Sequence, residues 1–217
     1  MNGRLPMQYF LAHDMSYFDG EIAPVLARCR SRRSFACART LCERLLPRAE
    51  RFHAPYALPA DIWLRLVLEG KPYDRRTWRL LAGEILIYAA TEVPAIQVCP
   101  PTLLALVGQI STDGSKPQAT AGLMANALFG HDDIRFGAFF YRPGSAGMNR
   151  CRETARIADY LVSLDPASWS ANALLPFLES EDDCREELAL ARESVKDLAE
   201  FYSRACSSRQ MVICESV

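Results

Sequence analysis

Lysine is scarce in this sequence: Lys71, Lys116 and Lys196 are the only three in 217 residues. Basic charge rests on arginine, and the formal net charge at pH 7 is −1. Nucleic-acid binding usually draws on a net basic domain, because neutralising phosphates and releasing their counterions drives it. A nucleic-acid partner is not expected. Histidine is as scarce, at three, which leaves little imidazole for metal or acid–base chemistry. No stretch approaches the roughly 18 consecutive apolar residues of a membrane span, so no membrane partner is expected.

The opening segment MNGRLPMQYFLAHDMS has neither the apolar core nor the small-residue cleavage site of a secretory leader. This points to a reducing, cytoplasmic setting in which the eight cysteines are free thiols. Cys37 and Cys42 stand near zinc-ligand spacing, but in a helix an i, i+5 pair diverges by about 140°, at ~100° per residue. No second Cys or His pair follows at finger or ribbon spacing. The cysteines read as small buried hydrophobes, and no metal or cofactor is expected. A nucleophile elbow, a Walker loop, a dinucleotide fingerprint and a HExxH helix are all missing.

What remains is an ordinary globular composition, 50% hydrophobic and 24% charged. That amount of chain suits one domain over residues 1–217, with a possible subdomain seam at the STDGSKP loop, 111–117. The near-neutral total hides an asymmetry. Residues 28–51 carry eight arginines against Glu43 and Glu50, whereas 179–200 carry nine acids against Arg185, Arg192 and Lys196. Two solvated helix faces of opposite sign account for this.

Periodicity predicts mostly helices. MQYFLAHD (7–14) reads as a strand, and Asp19 as the cap of a short helix to about Arg30. A stripe of Phe35, Ala38, Leu41, Leu45, Ala49 and Phe52 marks a helix that Pro47 interrupts. LPADIWLRLVLEG makes another, stopped by Gly70. Asp74 caps RRTWRLLAGEILIYAATEV, a helix apolar on nearly every side and so expected at the centre, with Trp78, Leu81, Ile85 and Tyr88 buried. Glu84 is the one carboxylate inside that run, and a buried carboxylate needs a partner or a raised pKa. Helices are also expected from Pro100 to about Gly108 and over QATAGLMANALFG. IRFGAFFYR (134–142) reads as a strand, and PGSAGMN as a glycine-containing loop into the helix RCRETARIADYLVSL, with Ala155, Ala158, Leu161 and Val162 on one face. DPASW starts a further helix, with Asp165 as N-cap and Pro166 at N1. A long helix carries Cys184, Leu188, Ala191, Val195, Leu198, Tyr202 and Ala205 on one stripe, and QMVICESV closes as a strand. Scattered strands among helices give an α+β fold: predominantly helical, with one small sheet from short strands near the N-terminus, the middle and the C-terminus.

The order of the C-terminal third is a strand, a glycine-containing loop, ETARIADYLVSLDPASW, the helix ending ARESVKDLAEFYSRACSSRQ, and a last strand. This order, with an apolar strand near the N-terminus, resembles the small YfbM-like family of bacterial proteins of unknown function. Residues 28–128 have no counterpart in that resemblance. It implies a fold and no catalytic residues.

The chemistry-bearing stretch is FGHDDIRFGAFFYRPGSAGMN, 129–149. His131, Asp132 and Asp133 precede a predicted strand, and His13 and Asp14 end another. If those strands are neighbours, two His-Asp pairs meet at one end of the sheet and supply imidazoles and carboxylates for a metal or for acid–base work. Arg142 and Asn149 then become candidates to hold an anion, with Glu84 a further candidate binding residue. The plainer reading of His-Asp-Asp after a glycine is a turn, in which Asp side chains accept backbone amides. On that reading the expected function is a non-enzymatic protein-interaction or regulatory module of the immunity type, with another protein as partner. The alternative is a metal-dependent or acid–base hydrolase built on the two His-Asp pairs.

Overall fold

In the computed structural model, residues 7–31, 86–87, 90–110, 117–134 and 146–216 are described. Four strands build one antiparallel sheet: β1 (Met7–Ala12), β2 (Asp132–Asp133), β3 (Ala146–Asn149) and β4 (Met211–Ser216). Their order is β1-β4-β3-β2. β4 is the organising strand. It pairs with β1 from Met7↔Ser216 to Ala12↔Met211, and with β3 from Ala146↔Glu215 to Asn149↔Val212. Val212 and Cys214 join Tyr9 and Leu11 in the main core, while Met211 and Ile213 point to the other face and are buried as well. A strand covered on both faces carries a continuous apolar run, which is why MVIC shows no alternation.

The helices are α1 (Met15–Tyr17), continuing through a π-turn at Phe18–Ile22 into α2 (Ala23–Ser31), then α3 (Pro100–Ile110), α4 (Pro117–Phe129), α5 (Cys151–Ser163) and α6 (Glu181–Ser207). Prolines suit the first turns of α3 and α4, where an amide N–H has no intrahelical partner. Ser180 caps α6 by accepting from the Asp183 amide at 3.1 Å, and Glu181, Asp182 and Asp183 set negative charge against the positive end of the helix dipole. The stripe expected on this helix is buried in full, from Cys184 to Ala205. The helix stops in a Schellman turn: Gln210 N–H donates to Ala205 O at 2.9 Å and Arg209 N–H to Cys206 O at 3.1 Å. Arg209 holds the left-handed position there, at φ 52°.

The fold class is the expected α+β, but several local expectations are corrected. PGSAGMN does not run as a loop into α5, because its last residues, 146–149, form β3 at the interior of the sheet. Gly147 is small because a Cβ there would strike the carbonyl of Phe129 at the end of α4, so it marks a close approach and not a loop. His-Asp-Asp is not a turn, since Asp132 and Asp133 pair with Met148 and Gly147. Ile134 N–H extends the ladder to Ala146 O at 2.9 Å, and the remainder of the strand expected over 134–142 lies outside the described residues. The apolar helix expected to reach Val93 ends earlier: Thr91 N–H donates to Leu11 O at 2.8 Å and Leu11 N–H to Glu92 O at 2.9 Å. That bridge covers the outer edge of β1.

Val162, expected on the buried face of α5, is 67% exposed, and Ile157 and Tyr160 take the core positions. Asp165 does cap, accepting from the Ala167 amide at 3.2 Å, but what it starts is a 3₁₀ turn, Pro166–Ser168, followed by a second at Ala171–Leu174. The helices expected over 33–52, 58–70 and 74–85, the seam expected at 111–117 apart from Pro117, which opens α4, and Glu84 and Arg142 lie outside the described residues. Leu86 and Ile87, from the most apolar run, are buried. Among the described residues no helix is long and apolar enough to cross a membrane.

Candidate functional site

The sheet order decides the fate of the two His-Asp pairs. His13 and Asp14 follow β1, and His131 leads into β2, so both pairs stand at the same end of the sheet. They are on its two outer strands, with β4 and β3 between them. Three strand spacings separate the edges by roughly 14 Å. The neighbouring strands that a shared site requires are therefore not present. His13 stacks on Tyr17 with ring centroids 4.2 Å apart. His131 is exposed, and Asp132 pairs with Arg150 Nε at 2.8 Å. Both side chains of that pair are substantially exposed, so it contributes little to stability. Among the described residues no group of three His, Cys, Asp or Glu side chains could hold a metal ion.

Between the two pairs, Cys151 opens α5 and donates its S–H to Arg209 O at 3.3 Å. Burial, then the charge and hydrogen bond of Asp14, push its thiol above the ordinary value. A thiol held neutral is a poor nucleophile, because the thiolate is the reacting form. Cys99, Cys184, Cys206 and Cys214 are likewise free.

Asn149, the expected anion holder, is fully buried and its side chain is committed. Its amide donates to Asn126 O at 2.7 Å and to the Tyr202 hydroxyl at 2.9 Å, while its carbonyl accepts from His131 N–H at 3.0 Å. Tyr202 donates onward to Ala127 O at 2.9 Å. Both amide donors and the carbonyl of the Asn149 side chain are engaged inside the protein, so its role is structural. It fastens the end of α4 to β3 and α6. Burial pushes the Tyr202 hydroxyl well up and the Cys214 thiol up to about 12, so both stay protonated in this network.

The cavity lies elsewhere. A cleft of about 460 Å³ opens between the extended segment 95–99 and the middle of α6, with Met7 at its edge. Met7 and His13 are at opposite ends of β1, so this cleft and the His-Asp residues do not coincide. Its wall is built locally. Ser194 Oγ lies 2.6 Å from Gln97 O and 2.7 Å from Leu190 O, tying the segment to the helix. Thr102 Oγ1 donates to Glu187 Oε1 at 2.9 Å and sits 3.1 Å from Cys99 Sγ. Glu187, Glu193 and Asp197 give the lining three carboxylates, and among the described residues that line it there is no lysine or arginine. Burial of a few polar groups in a concave, partly apolar wall of this size is the usual form of a ligand site.

These three acids are not among the residues expected from the sequence to form a site. Glu187 falls among the buried stripe of α6, and Glu193 and Asp197 form an i, i+4 pair of like charge; both signals are present in the sequence itself.

Together these elements define an α+β protein with a four-stranded antiparallel sheet and helices packed on it. No known protein family and no curated protein matches the chain. A solved structure of a protein of unknown function, YfbM from Escherichia coli, is similar to it over 63% of this chain and 87% of that one, at 17% identity and a TM-score of 0.43.

Proposed function

We propose that the chain is a non-enzymatic protein-binding module, of the kind that neutralises or regulates a partner, and that its contact surface centres on Phe177. The observation that carries this reading is the exposure of Phe177 at 63% and Leu175 at 46%, directly before the acidic start of α6. Large apolar side chains on a surface, rimmed by charge, are the usual anchors of protein contacts. Glu179, Glu181, Asp182 and Asp183 form that rim, so the partner presents a basic surface. The hydrolase alternative draws no support from the geometry, because its two histidines stand on opposite edges of the sheet.

The test is co-purification of the tagged chain from its native cell extract, wild type beside Phe177→Asp and Leu175→Asp. A basic protein retained in stoichiometric amount by the wild type, released by salt and lost from both variants, supports the reading. Equal recovery on the variants overturns it.

A further inference from the structure

Several charges of α6 are engaged outside the cleft: Arg185 bonds Glu181 at 3.2 Å and Asp182 at 2.9 Å, and Arg204 bonds Glu92 at 2.8 Å. Arg192 spends its guanidinium on the carbonyls of Pro166, Ala167 and Trp169. Acids at the start of the helix gain from its dipole, which falls off within one turn. Glu193 and Asp197 sit past that first turn and gain nothing from it. Their i, i+4 spacing puts two like charges on one face, an arrangement that destabilises a helix. Among the described residues neither carboxylate has a hydrogen-bond or ion-pair partner, although Asp197 is half-buried. Both line the cleft.

We propose that this cleft binds the cationic end of an alkyl chain, a guanidinium or primary ammonium group, with the charge at Glu193 and Asp197 and the chain along Ile96, Val98 and Leu190. The apolar wall suits methylene groups. A guanidinium can meet a carboxylate through two parallel N–H donors, whereas an ammonium acts as a point charge. An anion of the same chain length meets only like charge. The inference is independent of the protein-binding reading, because Phe177 does not line the cleft.

The full chain is titrated with n-butylguanidinium, n-butylammonium and, as control, butyrate, following the amide signals of residues 95–99 and 187–197. Saturable binding of the two cations in the millimolar range, with none for butyrate, is expected for ligands this small. Asp197→Asn and Glu193→Gln should each weaken it about tenfold, while Glu186→Gln, outside the cleft, leaves it unchanged. Glu193 is exposed, so its variant keeps the test intact if Asp197→Asn fails to fold. A peptide with one central arginine identifies the source: tighter binding than butylguanidinium, with the same dependence on Asp197, assigns a polypeptide side chain, and weaker binding assigns a free small amine. No saturable binding of either cation, equal binding of butyrate, or wild-type affinity in both variants overturns the proposal.

Discussion

The side-chain amide of Asn149 donates to the hydroxyl of Tyr202 at 2.9 Å, although 53 residues separate them in the chain. This single bond joins β3 to α6, and through Ala127 O it reaches α4. Tyr202→Phe strands one Asn149 donor in a dry interior and leaves the Ala127 carbonyl only the weak Cys214 S–H donor at 3.6 Å, at a cost of about 1–3 kcal/mol. Asn149→Ala removes three hydrogen bonds at once and should cost more, although Asn126 O keeps the Gly130 amide, His131 N–H keeps Met148 O and the Tyr202 hydroxyl keeps Ala127 O. Thermal melts should fall by about 2–4 °C per kcal/mol for a chain of this size. The double variant should lose less than the sum of the two, since both changes break one network. Strict additivity would show that the network is not a unit.

Two glycines should respond with opposite signs. A Cβ at Gly147 meets the Phe129 carbonyl, which is backbone and does not yield, so Gly147→Ala should destabilise by about 1–3 kcal/mol. Gly122, inside α4, has nothing within 4 Å of its notional Cβ. Gly122→Ala should therefore stabilise by about 1 kcal/mol through helix propensity. Chemical denaturation of the two variants beside the wild type measures both.

His13→Ala and His131→Ala should be independent of each other. Sites on outer strands roughly 14 Å apart add within about 0.3–0.5 kcal/mol. His131→Ala alone should be near neutral, because its ring is exposed and its backbone N–H makes the bonds. Coupling above that range, or a divalent-metal stabilisation that both variants abolish, would restore a shared His-Asp site.

Stability should fall on the alkaline side. Cys214 is raised from 9.0 to about 12 by burial, and Tyr202 and Tyr9 are raised by burial first and by Cys214 next. Between those values the native state keeps a proton that the unfolded chain releases, so the unfolded state binds fewer protons and stability drops as pH rises. The Cys214 contribution is complete below pH 9 and is lost progressively toward pH 12. Cys214→Ala should flatten part of that slope. Denaturant midpoints measured from about pH 7 to 11 span most of that window. The same slope in wild type and variant would contradict the assignment.

Thiol labelling of the native chain should separate the described cysteines by burial. Cys206 is exposed and should react first, whereas Cys184 and Cys214 should react only on opening of the core. Cys151, half-buried and with a raised thiol pKa, should lag behind Cys206. Uniform rates at all positions would place the two buried thiols at the surface.

Periodicity is enough for α6, where seven stripe residues from Cys184 to Ala205 are all buried, and for β4, whose apolar run is long for its length. It fails at β3 because a four-residue strand containing Gly147 carries no alternation. That segment is a strand because of its ladder to β4, which lies more than 60 residues further along the chain. The two His-Asp dipeptides can be seen in the sequence, but their separation is a matter of strand order, which no local pattern encodes. The reverse holds for the cleft. Glu193 and Asp197 are visible as a like-charge pair on a helix, and only the packing of 95–99 against α6 makes them neighbours of a cavity.

Because β4 lies between β1 and β3, the first strand of the described chain has no partner in the sheet until residues 211–216 are available. A nascent chain halted before Met211 holds β1 with its inner edge open, and β3 with only the two-residue β2 beside it. Closing Met7 onto Ser216 spans the whole intervening chain, the slowest kind of contact to form. Until then Met7–Ala12 is an apolar edge open to other chains. Aggregation during synthesis, rather than loss of the finished fold, is therefore the failure this topology exposes first, and deleting residues 211–216 should send the protein to the insoluble fraction.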